Sequence, residues 1–292
     1  MQFKNPFKEE GRWYKANLHC HTTESDGILT PSERVEAYKA KGYSILAITD
    51  HSIVTDVGSL GSEDFLVIPG IEGHPYMDDT IYFHIVVLNV PNDFGFSEEE
   101  APQDFISRAN AAGGVVFHAH PYWLGLSADE ILNLDGAVGI EVFNAVCGTK
   151  GKSTASVHWD DLLQRGAKMV GVAVDDAHGD KDDVFRGWTW LKLKKLNVEA
   201  VTDALKNGCF YSSTGPEIRN IELDRGKIIV ESSPVHSITF VAQRWHGSRS
   251  LAEEGESITE AEHKITGEEE YIRIECTDAR GRTAWSNPLL FD

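Results

Sequence analysis

The segment NLHCHTTESDG, residues 17–27, sets His19 and His21 two positions apart and follows them with Asp26 in a glycine-containing turn. On an extended strand, residues i and i+2 project to the same side. Two imidazoles so placed can grip one cation or two adjacent ones, and Asp26 can fold back over the same mouth. Cys20 then points the other way, into packing. Further apolar runs end in the same kinds of group. AITDHS ends in Asp50-His51, with Asp50 placed to orient the His51 ring through its N–H. VIPGIEG ends in Glu72, and His84 lies inside IYFHIVVLNV. GGVVFHAHPYW carries His118 and His120, again two apart. GIEVFN carries Glu141 and Asn144, and GVAVDDAHGD runs into Asp175, Asp176 and His178.

A lone histidine in a strand is usually a packed residue, so the accumulation decides. Burying many titratable groups in apolar surroundings costs several kcal/mol each unless they are partnered. Shared cations offset that cost. Mixed imidazole and carboxylate donors suit zinc, manganese or iron rather than calcium. The donors outnumber what one tetrahedral ion needs, so two or three divalent ions are expected. Such ions lower the pKa of bound water and supply hydroxide near neutral pH, a nucleophile for phosphorus or a carbonyl carbon. The sequence holds neither a GxSxG elbow nor a P-loop, which argues against serine esterases and nucleoside triphosphatases. Arg186, in DDVFRGW, is the candidate for holding a phosphate, and Asn144 and Trp123 are candidates for the pocket wall.

These residues need a scaffold that gathers strand ends. WYKANLHC, YSILAIT, FLVIPGIE, TIYFHIVVLNV, GVVFHAH, VGIEVFN, KMVGVAV and WTWLKL read as strands. Helical stretches lie among them: PSERVEAYKAKG, APQDFISRANAAGG, SADEILNL, HWDDLLQRG and NVEAVTDALKNG. In the first, Thr30 is the expected N-cap, Pro31 the first helical residue and Gly42 lies just past the end. Repeated β–α units predict a parallel sheet, open or closed into a barrel, whose strand ends collect chemistry at one face. From IRNIELDRGKIIVESS onward the pattern alternates and helices stop, which predicts a small antiparallel β domain. Trp285 reads as core.

The formal charge is −19, from 46 acidic and 27 basic residues, and no basic run interrupts it. Nucleic acid is therefore not an expected partner. The opening MQFKNPFKEEGRWYK lacks the apolar stretch of a secretory signal, and no apolar run is long enough for a membrane span. The four cysteines are scattered, as free thiols of a reducing compartment would be. A cytoplasmic protein acting on a small molecule is expected, with a homo-oligomer left open.

Taken in order, HxH with SDG, TDH, a strand ending in Glu, a His on the next strand, HP and DxH resemble the PHP (polymerase and histidinol phosphatase) superfamily over residues 12–215. The tail CFYSSTGPEI and the closing YIRIECTDARGRTAWSNP resemble its CehA/McbA-like metallohydrolase subgroup. The resemblance implies an α/β fold: a distorted (β/α)7 barrel over residues 1–215 and a small, sandwich-like antiparallel β domain over 216–292. It implies a trinuclear centre held by His19, His21, Asp26, His51, Glu72, His84, His120, Asp176 and His178, with Glu72 bridging two ions. Asp26, Glu72, His178 and Arg186 are the expected catalytic residues. The DxH match selects Asp176 over Asp175. His118 is read as packing or support, and His74 and His158 lie off the motifs, His158 on a surface helix. The implied activity is a phosphoesterase that releases phosphate from a small phosphomonoester through a metal-bridging hydroxide. Hydrolysis of a carbamate, amide or carboxylic ester on the same centre is the alternative, and a metal-bearing module without turnover a third.

Overall fold

A computed structural model describes residues 4–291. Seven strands come first and lie side by side in chain order: β1 (Arg12–Asn17), β2 (Ile45–Ile48), β3 (Leu66–Gly73), β4 (Ile85–Leu88), β5 (Val115–His118), β6 (Gly139–Asn144) and β7 (Val170–Val174). Pairing is parallel except at β4, which runs against both β3 and β5. The link explains the reversal. Only residues 74–84 join β3 to β4, with no helix among them, and a parallel crossover needs about a dozen residues or more.

Helices cover the strands: α1 (Pro31–Ala40), α2 (Pro102–Ala111), α3 (Pro121–Leu124), α4 (Ala128–Leu132), α5 (Ser156–Gln164) and α6 (Val198–Lys206). The capping expected for α1 is present. The Thr30 side chain accepts from the Glu33 amide, Glu33 reaches back to the Thr30 backbone, and Gly42 beyond the end sits at φ 74°. Both sheet faces are buried. Val116, Ile140 and Val142 pack with Phe105 of α2 and Trp159 of α5, while Phe117, Val115 and Val172 pack with Ile45, Ile68 and Leu191. That two-sided cover is why these strands read as unbroken apolar runs.

The expected (β/α)7 barrel is met as a mixed α/β fold with a parallel-rich sheet, and the sheet is open. Among the described residues no ladder joins β7 to β1. The chain just past each strand meets at an isolated parallel bridge, Cys20 to Ala177. Side chains satisfy the edge of β7 instead. The Gly171 amide donates to Asn287 Oδ1 (3.1 Å) and the Ala173 amide to Ser212 Oγ (3.0 Å), while Ser212 Oγ and Thr189 Oγ1 donate to the carbonyls of Gly171 and Ala173. Backbone groups so paired need no closing strand.

The remaining strands are β8 (Trp188–Leu193), β9 (Phe210–Ser213), β10 (Ile218–Asp224), β11 (Lys227–Val235), β12 (Ser237–Ala242), β13 (Ser248–Leu251), β14 (Ile258–Lys264), β15 (Tyr271–Thr277), β16 (Thr283–Ser286) and β17 (Leu289–Leu290). The large sheet continues from β1 through β8, β9, β16, β15 and β12 to β13, and β17 pairs with β15. Strands β10, β11 and β14 form a separate antiparallel sheet. Ile221, Ile228, Val230, Phe240 and Ile274 form the core between the two. Trp285 is buried as expected. Among the described residues no helix is long and apolar enough to cross a membrane.

Candidate metal centre

His19 and His21 lie just past β1, on the segment bridged to Ala177, and both are fully buried. The following turn returns on itself through the Ser25 and Gly27 amides, which donate to the Thr22 carbonyl. A Cβ at Gly27 would stand 2.5 Å from the His21 carbonyl oxygen, so only glycine brings Asp26 back over the histidines. His51 follows β2 and bridges to Glu72 near the end of β3. His84 immediately precedes β4. Because β4 is reversed, its start lies at the same end as the finish of its neighbours, which is how a residue read as mid-strand reaches the cluster. His120 and Asp176 follow β5 and β7 with φ of 28° and 56°, an unfavourable backbone held by the packing around it.

Five of the six histidines converge on Glu72. Its Oε2 lies 3.2 Å from His19 Nε2, His21 Nε2 and His51 Nδ1. Its Oε1 lies 2.7 Å from His84 Nδ1 and 3.3 Å from His120 Nε2. Asp176 Oδ1 is 3.2 Å from His19 Nε2 and 3.0 Å from His21 Nε2. Asp26 Oδ1 faces His178 Nε2 at 3.4 Å, His51 Nε2 at 3.7 Å and His21 Nδ1 at 3.8 Å. Three overlapping groups result, each with donor atoms close enough to share one cation: His21, Asp26, His51 and His178; His19, His21, Glu72 and Asp176; and Glu72, His84 and His120.

The electrostatics fit divalent cations. His19 Nε2 and His21 Nε2 stand 3.1 Å apart with two carboxylates against them. Burial alone would lower the His19 pKa, but Asp176, Glu72 and Glu141 raise it well above the ordinary value. His21 rises against burial to about 9, through Asp176 and Glu72. Burial opposes ionisation of Glu72, yet the surrounding imidazoles hold its pKa well below the usual range. His51 is lowered by burial to about 4, although Glu72 opposes the shift. The Nδ1 atoms of His21, His51 and His120 are buried without a hydrogen-bond partner. Orphaned ring nitrogens beside ionised carboxylates are what a cation would satisfy.

Further carboxylates, all buried, pin the backbone around the cluster. Glu141 accepts from His19 Nδ1 (2.6 Å), from the His120 amide (2.8 Å) and from Asn144 Nδ2 (2.8 Å). Asn144 Nδ2 also reaches Asp176 Oδ2 at 3.0 Å. Asp50 does not orient the His51 ring. Its oxygens accept instead from the Thr22 amide, Thr22 Oγ1 and Ser25 Oγ, each at 2.7 Å, and from Thr55 Oγ1. It therefore holds the Asp26 turn. Asp175 stays outside the cluster, accepting from Tyr38 and from the amides of residues 185–187, and burial raises its pKa to about 6. Asp183, which the sequence reading passed over, caps the His178 and Gly179 amides at 2.7 Å each.

A cavity of about 330 Å³ opens on the cluster, lined by Asp26, His51, Glu72, His84, His120, Asp176 and His178 together with Trp123, Val146, Cys147, Thr149 and Lys150. Arg186 is exposed and absent from this lining; its backbone amide donates to Asp175. Lys150 is instead the sole Lys or Arg among the described lining residues. It ends a 3-10 turn, Val146–Lys150, that starts two residues after Asn144, and the Cys147 amide donates to Asn144 Oδ1. Nothing in the types of residues 146–150 marks them as a pocket wall, and that adjacency to Asn144 was the available signal. His118 is buried with both ring nitrogens unpartnered, and burial lowers its pKa to about 4. It packs against Phe83. His74 stacks on His51 at 5.1 Å, and His158, on α5, is half-buried against the exposed Tyr122.

No family model matches the chain. Over 43 residues it is 44% identical to a 5'-3' exoribonuclease of Haemophilus influenzae, a stretch that is 15% of this chain and 16% of that enzyme. Over 147 residues it is 31% identical to an uncharacterized protein of Methanocaldococcus jannaschii, covering 45% of this chain and 82% of that protein. The chain belongs to the family of that Methanocaldococcus protein. In structure this family member resembles a two-domain protein of Bacteroides vulgatus described as containing a predicted PHP-like metal-dependent phosphoesterase. The superposition has a TM-score of 0.56 at 15% identity, over 100% of this chain and 97% of the other. At that identity the likeness is one of fold.

Proposed function

We propose that this protein is a metal-dependent phosphoesterase that releases phosphate from a small phosphomonoester, using three divalent cations, zinc, manganese or iron, in the three donor groups. The observation that carries the reading is Lys150 on the wall of the cavity that opens on the donor cluster. A phosphomonoester brings about two negative charges to a site already rich in carboxylates, and a lysine ammonium on the cavity wall would offset them. Cations bound here would supply Lewis acidity and a lowered pKa for coordinated water. The chain's own part is positional. Glu72 offers one oxygen to each of two donor groups, Glu141 orients His19, and Asp176 ties His19 to His21. Asp26 and His178 stand at the mouth, 3.4 Å apart, where a leaving group or product would pass.

We read residues 1–215 as the PHP-type catalytic domain of the CehA/McbA-like subgroup and 216–292 as an accessory β domain. The net charge of −19 favours a small-molecule substrate over nucleic acid. A carbamate, amide or carboxylic ester would use the same donors without needing Lys150, and the apolar wall at Trp123 and Val146 would suit one. The test is phosphate release from a panel of sugar, nucleotide and aryl phosphates by zinc-, manganese- or iron-loaded protein, with aryl carbamates and esters in parallel. No phosphate release above a His19→Ala control would remove the phosphoesterase reading.

A further inference from the structure

The cavity has one wall that the donor cluster does not use. Trp123, on α3, is 37% exposed and lines the opening. Its ring stands edge-on to His120 (5.3 Å between centroids, 83°) and to His84 (5.9 Å, 69°). The ring is thus held by residues of the Glu72, His84 and His120 group while over a third of the side chain stays free. Its backbone is fixed as well, since the Trp123 amide donates to the His120 carbonyl at 2.9 Å. The His84 ring also contacts Tyr82, 5.6 Å away, which in turn contacts the half-exposed Tyr76 at 5.4 Å. In the group built on His21, Asp26, His51 and His178, Asp26 is exposed, His51 and His178 are partly open to solvent, and the stacked ring on His51 is the imidazole of His74.

A partly exposed indole packed against two histidines at the mouth of a small cavity is a platform for a flat ring. Stacking on a protein aromatic is sequence- and substituent-tolerant and commonly worth a tenfold or greater change in affinity. A cavity of about 330 Å³ is at the small end for ligand sites, which suits one ring and the group attached to it. We infer that the substrate is an aryl ester whose planar ring rests on Trp123, over the Glu72, His84 and His120 group, with the scissile group directed at the cations and Lys150. The inference rests on the phosphoester reading for the identity of the acid and on Trp123 alone for the ring.

The experiment uses non-hydrolysable probes, so turnover is not needed. Phenylphosphonate and methylphosphonate are titrated into the metal-loaded protein by calorimetry, with benzoate and acetate as a second pair. The expected result is that phenylphosphonate binds about tenfold or more tightly than methylphosphonate. Trp123→Ala abolishes that preference and Trp123→Phe keeps most of it. Equal affinity of the two phosphonates for the unaltered protein, or a ring preference that survives Trp123→Ala, overturns the inference and leaves the phosphoester reading standing. If neither phosphonate binds, the phosphoester reading is what fails, and benzoate against acetate then decides the ring. A Trp123-dependent preference for benzoate upholds the platform, and no preference removes it.

Discussion

His19 Nδ1 donates a 2.6 Å hydrogen bond to Glu141 Oε1, and that bond leaves the opposite ring nitrogen, Nε2, facing Glu72 and Asp176. A donor ring held by a carboxylate on its far side has one tautomer and one orientation.

Replacing Glu141 with Gln keeps the shape but removes the charge that fixes the His19 tautomer. Metal affinity should fall by about 10–100-fold, the range found for such outer partners. Competition titration against a chelator measures it. An unchanged affinity would show that His19 is held by something other than Glu141.

Asp50 gives the second prediction. Three of its four accepted hydrogen bonds hold Thr22 and Ser25, and through them the turn that presents Asp26; the fourth comes from Thr55. Asp50→Asn should loosen that turn and selectively weaken the His21, Asp26, His51 and His178 group. Metal analysis should find one group depleted and the other two filled, and Ser25→Ala should do the same more weakly. Uniform loss from all three groups would contradict the assignment.

Most of the donors were legible because they sit in or just past an apolar strand-like run, where an unpartnered His, Asp or Glu is costly. The α1 cap was legible because Thr30, Pro31 and Glu33 act within one turn. Contacts between distant segments were not. Nothing local in Asn287 announces that it pairs with the Gly171 amide, 116 residues away, so the open edge of the sheet stayed hidden. The reversal of β4 was hidden for a related reason: the strand pattern has no direction, and only the short link from β3 dictates it. Arg186 is a cation near a ligand motif, but the amides of residues 185–187 donate hydrogen bonds to Asp175 and its side chain is absent from the cavity lining, where Lys150 stands.

The third prediction concerns protons. Without metal, His19 and His21 carry raised pKa values, with His21 at about 9, so both hold protons at pH 7 that a cation must displace. Metal affinity should therefore rise with pH up to about 9 and level off above it, with proton release falling over the same range. Calorimetry in two buffers of different protonation heat reads the release directly. A pH-independent affinity between 6 and 9 would rule the charge assignment out.

Arg273 tests how the later strands are fastened to the earlier part of the fold. It is 1% exposed on β15, and its Nε and Nη2 donate to Asp160 of α5 at 2.8 and 2.7 Å. Nη1 reaches Glu275, and the guanidinium lies 5.0 Å over the Trp159 ring. Arg273→Met leaves Asp160 and Glu275 without their cation. Breaking a fully buried pair from one side costs about 3–5 kcal/mol, and the partial exposure of Asp160 and Glu275 lowers the expected cost to about 1–3 kcal/mol. Urea unfolding should register a loss of that order, whereas a change below about 1 kcal/mol would mean the pair is solvated.

Glu269 supplies a stability change with a defined pH window. Its buried carboxylate accepts from the Thr266 amide at 3.0 and 3.1 Å, from Thr266 Oγ1 at 2.9 Å and from the Gly267 amide at 2.9 Å. Burial opposes ionisation, but these donors prevail and lower the pKa from 4.5 to about 2. A carboxylate depressed on folding stabilises the native state above its unfolded pKa, and that contribution disappears as pH falls through the folded value. The shift corresponds to up to about 3 kcal/mol at pH 7. Glu269→Gln retains one acceptor oxygen and loses the charge, so it should cost about 1–3 kcal/mol at neutral pH. The gap between the two proteins should narrow as pH drops below about 4.5 and close toward 2. Denaturant midpoints taken at pH 7, 5 and 3.5 follow it, and a gap that stays constant over that range would place the stabilisation in shape rather than charge.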